Sequence, residues 1–113
     1  MTVDPSIAIV AVLTTVSDPE SASAIATRLV EERLIACANI LPGATSIFRW
    51  DGAVREQLET LVLCKTTEGN VVRVLERISE LHSYDVPEVL ALPVAAGSER
   101  YLSWIADEVV TNE

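Results

Sequence analysis

The sequence of 113 residues predicts one α+β domain, spanning residues 1–113, in which two β-α-β units are followed by an extra helix. Three observations support this prediction. Segments with apolar residues at helical spacing alternate with apolar segments that are typical of strands. One Asp-Gly pair marks a tight hairpin between the two units. Half of the residues are hydrophobic and only 4% are aromatic, so aliphatic side chains must build the core.

The first unit begins with SIAIVAVLT, residues 6–14, which is continuously apolar, as expected of a central strand buried on both faces. The segment SDPESASAIATRLVEERL then has capping residues and a proline at its start and an apolar face at helical spacing. The next segment, residues 35–50, is rich in strand formers. Its Pro42-Gly43 pair predicts a strand at the sheet edge, or a bulge.

The second unit begins after Asp51-Gly52 with a return strand from about Ala53 to Thr66. TEGNVVRVLERISELH predicts a second helix, and residues 86–94 predict a fourth strand that its two prolines place at an edge. SERYLSWIADEVV predicts a short third helix. The order of elements is that of the ferredoxin-like split βαβ repeat with an extra C-terminal helix.

The composition argues against two classes of partner. Eight basic residues and seventeen acidic residues give a formal charge of −9, which would repel a nucleic acid. The longest apolar run, Ile7 to Leu13, is shorter than the roughly 20 residues of a membrane span. The N-terminus has no basic region typical of a signal peptide. We therefore expect a cytoplasmic protein that binds neither nucleic acid nor membrane.

The predicted sheet has a second face that one subunit does not cover. Two helices on one side of the sheet leave an apolar surface on the other, and the long edge strands remain open to pairing. Identical copies that pack sheet to sheet in a closed ring would remove both liabilities. We expect a homo-oligomer; the alternative is a monomer whose third helix covers the exposed face.

Three stretches of the chain resemble a known family: ERLIACANILPGATSIFRWDG, LVLCKT and HSYDVPEVLALPVAAGSERYLSWI. Their A-C-x-N, L-P-G-A-T-S, W-x-G, V-P-E and Y-L-x-W motifs, over roughly residues 8 to 105, are similar to those of the CutA1 family, the divalent-cation tolerance proteins. The resemblance implies a homotrimer of the PII type in which strands of neighbouring subunits join. It also implies a non-enzymatic protein of metal homeostasis whose ligands are divalent cations, copper above all, bound weakly and not as essential cofactors.

The resemblance extends to the metal ligands only in part. Where the bacterial member best known for copper binding has a cysteine at the end of the first strand, this chain has Thr14. Leu81 replaces the first of two adjacent histidines, and His82 retains the second. A thiolate with two imidazoles favours copper, whereas one imidazole beside a hydroxyl does not. The metal prediction therefore depends on His82, with three further candidate ligands: Cys37, Asp85 and Glu88.

Each candidate ligand also has a structural interpretation. His82 lies at the predicted C-terminal end of the second helix, where a histidine interacts with the helix dipole and the free carbonyl groups. Asp85 and Glu88 straddle Pro87, so an extended segment would point the two carboxylates to opposite faces. A turn at Val86-Pro87 would instead bring them together.

The two cysteines, Cys37 and Cys64, are 27 residues apart and are not expected to form a disulfide. A regular ladder from the Asp51-Gly52 turn would place them diagonally on one side, roughly 7–8 Å apart. A one-residue bulge at Pro42-Gly43 would place them on opposite faces of the sheet. Either arrangement indicates buried, inert thiols.

The remaining candidates are predicted at a cleft or a subunit interface. Lys65 ends an apolar strand and needs a partner, such as Glu88, within the subunit or across an interface. The aromatic residues are expected to pack at that interface and not to stack on bases, because no basic patch accompanies them. They are Trp50, Tyr84, Tyr101 and Trp104.

Two other functions remain as alternatives. A PII-like sensor would bind a metabolite in clefts between subunits, although the chain lacks a long flexible loop and a Gly-rich phosphate cradle. An enzyme of the acylphosphatase type would need an anion-cradling loop with an arginine after the first strand, and TTVSDPES has none. The fold alone is a poor argument for either chemistry.

Overall fold

The computed structural model describes residues 7–110, which form one four-stranded antiparallel sheet and three helices. The strand order is β2-β3-β1-β4. As predicted, the two proline-containing strands lie at the edges, and the two strands without proline are interior. The strands are β1 (Ile9–Val16), β2 (Cys37–Trp50), β3 (Ala53–Thr67) and β4 (Val89–Pro93).

All three predicted helices are present: α1 (Pro19–Glu31), α2 (Val71–Leu81) and α3 (Glu99–Glu108). A 3-10 turn, Glu68–Asn70, replaces the first predicted residues of α2. The first strand begins at Ile9 and not at the predicted residue 6, which lies outside the described residues. The fourth strand is shorter than predicted because the chain before Val89 is irregular.

Helix α1 has well-defined ends. Asp18 caps its N-terminus, since the Asp18 carboxylate accepts a hydrogen bond from the Ser21 backbone N–H at 2.7 Å. After the helix, Arg33 adopts a left-handed conformation with φ of 59°, which residues with a side chain rarely adopt. Its guanidinium donates to the backbone carbonyls of Asp107 and Glu108 at the end of α3. Arg33 therefore joins the ends of two helices.

Helices α1 and α2 cover one face of the sheet and build the main core with it. The largest fully buried core side chains include Val12, Leu29, Val62, Val74 and Ile78. Helix α3 lies on the opposite face, at the end where β1 begins, and packs with Ile9 and Ala36 in a second cluster. Leu90 and Leu92 on the same face remain half exposed, so α3 covers that face only in part.

The β2–β3 hairpin contains the predicted bulge, because the register shifts between Leu41 and Ala44. Below the bulge Cys37 pairs with Lys65 and Ala38 pairs with Cys64, which puts the two thiols on opposite faces. Both cysteines are free, as predicted. Burial, followed by the nearby Cys37 thiol, raises the pKa of Cys64 to about 12, so this thiol is inert at neutral pH.

Above the bulge, residues 44–58 form a projecting hairpin arm that ends in a turn with positive φ at Asp51 and Gly52. The arm leaves large apolar side chains in solvent. Ile47 and Leu58 are each 69% exposed, and Val54 is 68% exposed.

No helix in the described part of the chain is long and apolar enough to cross a membrane.

Candidate functional site

A cavity of about 650 Å³ lies between the hairpin arm and the segment 84–88. Its volume falls in the range of roughly 300–1,000 Å³ that is usual for small-molecule sites. Three carboxyl side chains and three aromatic rings contribute to the lining, together with one guanidinium, from Arg55. The carboxyl groups belong to Glu59, Asp85 and Glu88, and the rings belong to Phe48, Trp50 and Tyr84.

The cavity arises because the hairpin is longer than the two strands beside it. Strand β1 ends at Val16, opposite Thr60, and β4 begins only at Val89. The arm therefore extends past both strands, and the chain that leaves α2 passes beside it. Side chains alternate along a strand, so Gln57 and Glu59 point to the same face of β3, away from α1 and α2.

Glu59 lies at the most buried part of the cavity lining, with only 7% of the residue exposed. The Tyr84 hydroxyl donates to its Oε2 at 2.8 Å, and the Gln57 amide donates to the Tyr84 hydroxyl at 3.2 Å. Among residues 7–110, no basic side chain forms an ion pair with Glu59. Its carboxyl group therefore remains available to a cation that enters the cavity.

The Tyr84 hydroxyl is a stable donor in this chain of hydrogen bonds. Burial, followed by the hydrogen bond to Glu59, raises the pKa of Tyr84 to about 12, from an ordinary value of 10.0. The hydroxyl therefore keeps its proton at neutral pH. The Tyr84 hydroxyl therefore holds the Glu59 carboxyl group in place, and its contact with Gln57 links the segment 84–88 to the arm.

His82 lies behind the cavity and is 9% exposed. Its Nε2 is 2.8 Å from the Thr15 carbonyl oxygen, and the Tyr84 backbone N–H donates to its Nδ1 at 3.1 Å. These contacts require the neutral ring with its hydrogen on Nε2. His82 also caps the C-terminus of α2, since its backbone N–H donates to the Ile78 carbonyl. In this conformation the ring positions Tyr84 and has no free lone pair for a metal ion.

Asp85 and Glu88 line the same cavity and are both exposed. The segment between them is irregular and is not part of a strand, and both residues line the one cavity. Across residues 7–110, no group of three or more His, Cys, Asp or Glu side chains is placed to hold a metal ion. An ion bound here would need solvent or a second subunit to complete its ligands.

The remaining predicted residues lie at the other end of the sheet. The Cys37 Sγ is 3.2 Å from the Tyr101 hydroxyl, and the Tyr101 ring stacks on Trp104 with centroids 5.8 Å apart. Lys65 donates to the Asn39 side-chain oxygen and not to Glu88 within the subunit. Cys37 is therefore separated from Asp85 and Glu88. The cavity lining does not include Cys37, Lys65, Tyr101 or Trp104.

Glu59, Gln57 and Arg55 also line the cavity but were not predicted as site residues. Glu59 had a detectable signal in LETLVLCKT, where an acidic residue borders the apolar centre of an interior strand. An acidic residue in such a place is expected to have a specific partner. For Gln57 and Arg55, which lie in a polar part of the arm, the sequence contains no comparable signal.

Comparisons with known proteins agree with this fold. Residues 10–108 match the family described as CutA1 divalent ion tolerance protein. The divalent-cation tolerance protein CutA of Thermus thermophilus is 52% identical over 96 residues, which cover 85% of this chain and 93% of the relative. A crystal structure of CutA1 from Oryza sativa superposes with a TM-score of 0.89 at 36% identity, covering 92% of this chain and 95% of that one.

A plant relative is longer. The protein named "Protein CutA, chloroplastic" from Arabidopsis thaliana is 40% identical over 96 residues, which cover 85% of this chain. These residues span 53% of the plant protein.

Proposed function

The chain belongs to the CutA1 family of divalent ion tolerance proteins, and on this premise we propose that it binds divalent cations weakly and without catalysis, as part of metal-ion tolerance. The observation that carries this proposal is that Asp85 and Glu88 line the same cavity and are both exposed to solvent. Exposed carboxylates can exchange hydrated ions quickly, which suits a tolerance function better than permanent ligation.

The donor set bears on the choice of ion. Carboxylate and carbonyl oxygens suit hard ions such as Mn²⁺ and Mg²⁺, whereas copper favours imidazole and thiolate. Copper, which the family resemblance implies, would have to displace the His82 ring from Thr15 and from the Tyr84 N–H. We therefore propose that copper binds through the carboxylates of Asp85 and Glu88 without His82, and more weakly than at a cysteine-histidine site.

Calorimetric titration with Cu²⁺, Zn²⁺ and Mn²⁺ tests this proposal. We expect the double variant Asp85→Asn, Glu88→Gln to lose about tenfold in affinity, equivalent to about 1.4 kcal/mol. His82→Ala should retain the affinity of the native protein. Glu76→Gln, an exposed change on α2 outside the cavity, is the matched control. The carboxylate proposal is wrong if His82→Ala alone abolishes binding.

We also propose that the protein is a homotrimer of the PII type. The arm exposes Ile47, Val54 and Leu58, and both edge strands, β2 and β4, have a free side within the subunit. Copies that place the arm against a neighbour's β4 edge would bury these side chains and pair the free backbone groups. The cavity would then lie in a cleft between subunits.

Analytical ultracentrifugation tests the assembly. We expect a native particle of three times the 12.2 kDa chain mass. The double variant Ile47→Glu, Leu58→Glu should dissociate, while Val72→Glu should not, although Val72 on α2 is 66% exposed, like the arm residues. A particle of single-chain mass at micromolar concentration would rule out the trimer.

A second candidate function is a PII-like sensor that binds a small molecule in the cleft. The cavity of about 650 Å³ favours it, because this volume exceeds what a single ion requires. A thermal-shift screen of charged and neutral metabolites tests it directly. For either function we propose a cytoplasmic location, which cell fractionation would check.

A further inference from the structure

We propose that the cavity binds an organic cation with two ammonium groups, of the alkyl diamine class. One ammonium group would contact Glu59, and the other would lie between Asp85 and Glu88. This inference names the ligand class of the small-molecule function given above as the second candidate, and it rests on that function. The metal-binding proposal uses the same two carboxylates of Asp85 and Glu88, so a metal ion and the second ammonium group would compete for them.

The charge of the lining is the first argument. Glu59, Asp85 and Glu88 face a single cationic side chain, that of Arg55, so negative charge is in excess by two. The Nε of Arg55 donates to the Trp50 carbonyl at 3.3 Å, which holds this guanidinium at the arm. An anionic metabolite would meet repulsion here, whereas a doubly charged cation would neutralise the excess.

The burial of Glu59 is the second and independent argument. The residue is 93% removed from solvent, yet no cation pairs with it among residues 7–110. Tyr84 donates to Oε2, while Oε1 has no donor among residues 7–110 and is still reached by solvent from the cavity. A buried carboxylate without a counter-charge is costly, and a cation that donates a hydrogen bond removes that cost. An ammonium group provides both the charge and the donor.

The walls of the cavity identify the cation as organic. Phe48, Trp50 and Tyr84 present aromatic rings, and Val86 adds aliphatic surface. Aromatic faces attract alkylammonium groups, and apolar walls accommodate a methylene chain. A metal ion would find no group of three metal-ligating side chains among residues 7–110, so these walls suit an organic cation better.

The placement of the acidic residues explains why two ammonium groups are needed. Glu59 is buried, whereas Asp85 and Glu88 are exposed at the opening. Two ammonium groups would pair the buried and the exposed carboxyl groups separately. A short methylene chain between two ammonium groups allows both to be paired while the chain lies along the aromatic walls.

Calorimetry on chelator-treated protein with three matched probes tests the ligand class. The probes are 1,4-diaminobutane, 1,4-butanediol and succinate, which differ in charge but share a four-carbon chain. We expect the diamine to bind at least about tenfold more tightly than either other probe, equivalent to about 1.4 kcal/mol. The affinity should fall as salt is added, because the contacts at the exposed carboxyl groups are screened.

Variants locate the site. Glu59→Gln keeps an oxygen that accepts from Tyr84 but removes the charge, so we expect diamine affinity to fall by about tenfold or more. Asp85→Asn, at the exposed opening, should lower the affinity by a few fold and provides a second measurement if Glu59→Gln folds poorly. Glu76→Gln is the matched control and should bind like the native protein.

The outcomes separate this inference from the function on which it rests. If succinate or butanediol binds more tightly than the diamine, the ligand class is wrong while a small-molecule function stands. If no probe binds and the wider thermal-shift screen is also negative, both are wrong. If the diamine binds Glu59→Gln and Asp85→Asn as tightly as it binds the native protein, the cavity is not its site and the inference is overturned.

Discussion

The two halves of the β2–β3 hairpin belong to one continuous ladder but differ in their surroundings. Below the bulge, Val62 and Cys64 of β3 are completely buried against the helices. Above it, Leu58 and Val54 of the same strand are 69% and 68% exposed, although they are as apolar. The core of the subunit therefore explains the lower half only. The exposed side chains of Ile47, Val54 and Leu58 contribute little to the core of one subunit, which is why we propose that they lie in contacts between copies.

The largest expected effect contrasts one leucine from each region. Leu29→Ala removes a fully buried side chain beneath the lower half and should lower the free energy of unfolding by about 2–5 kcal/mol. Leu58→Ala in the arm should change it by less than about 0.5 kcal/mol in the free subunit. Urea denaturation at several protein concentrations measures both changes.

The same measurements at several protein concentrations also test whether the arm is buried between copies. If copies bury the arm, the cost of Leu58→Ala should appear only where the assembly is populated, while the cost of Leu29→Ala should be present throughout. Equal costs at all concentrations would contradict the distinction between the two halves.

The next effect concerns Tyr84, which ties the arm to the segment 84–88. Tyr84→Phe leaves the buried Glu59 without its donor and should cost about 1–3 kcal/mol. Tyr101→Phe is the matched control at the other end of the sheet, where the partner is a thiol and the ring is 42% exposed. It should cost less than about 0.5 kcal/mol. Thermal unfolding of both variants checks the order, and a larger loss for Tyr101→Phe would reverse our view of the two sites.

Alkaline pH should affect both ends of the sheet through the two tyrosines. The pKa of Tyr84 is raised to about 12 chiefly by burial, and that of Tyr101 to about 12 chiefly by the hydrogen bond with Cys37. A raised pKa in the folded protein means that the stabilising contribution is complete below the ordinary value of 10.0 and is lost as the pH rises toward 12.

Ultraviolet absorbance of tyrosinate should therefore show little ionisation at pH 10 while the protein is folded. The variants Tyr84→Phe and Tyr101→Phe assign the remaining signal to one ring or the other. A tyrosine that titrates near its ordinary value in the folded protein would contradict the environment assigned to that end.

The smallest effect lies on the helical layer, far from the arm. Glu32 accepts hydrogen bonds from Arg77 and Arg28, which lower its pKa from 4.5 to about 2. This contribution to stability is present above pH 4.5 and is lost as the pH falls toward 2. Glu32→Gln should therefore lose less stability than the native protein between pH 5 and pH 3, as measured by urea denaturation. If Glu32→Gln and the native protein lose the same stability between pH 5 and pH 3, the ion pairs of Glu32 contribute nothing to stability.

Much of the fold could be predicted from local patterns. The edge positions of β2 and β4 followed from prolines, and the bulge followed from Pro42-Gly43. These features are predictable because proline lacks a backbone N–H and glycine permits a positive φ. Both properties belong to the residue itself and do not depend on distant contacts. The position of α3 on the second face was less accessible, since it depends on contacts with Ile9 and Ala36 that are distant in sequence.

The candidate site was predictable only in part, for the same reason. The segment around His82 was recognised, but the sequence does not reveal that both ring nitrogens are occupied by Thr15 and Tyr84. Whether Asp85 and Glu88 meet depends on the path of one short segment. The participation of Glu59 required knowing how far the hairpin extends beyond β1.

The junction at Arg33 has a practical consequence. The Val110 backbone N–H donates to the Arg33 carbonyl, and the Val110 carbonyl accepts from the Asn70 side chain, so the last described residue is held firmly beside the helices. None of these three residues lines the cavity. A surface tether attached at Val110 should therefore hold the protein without blocking the cavity.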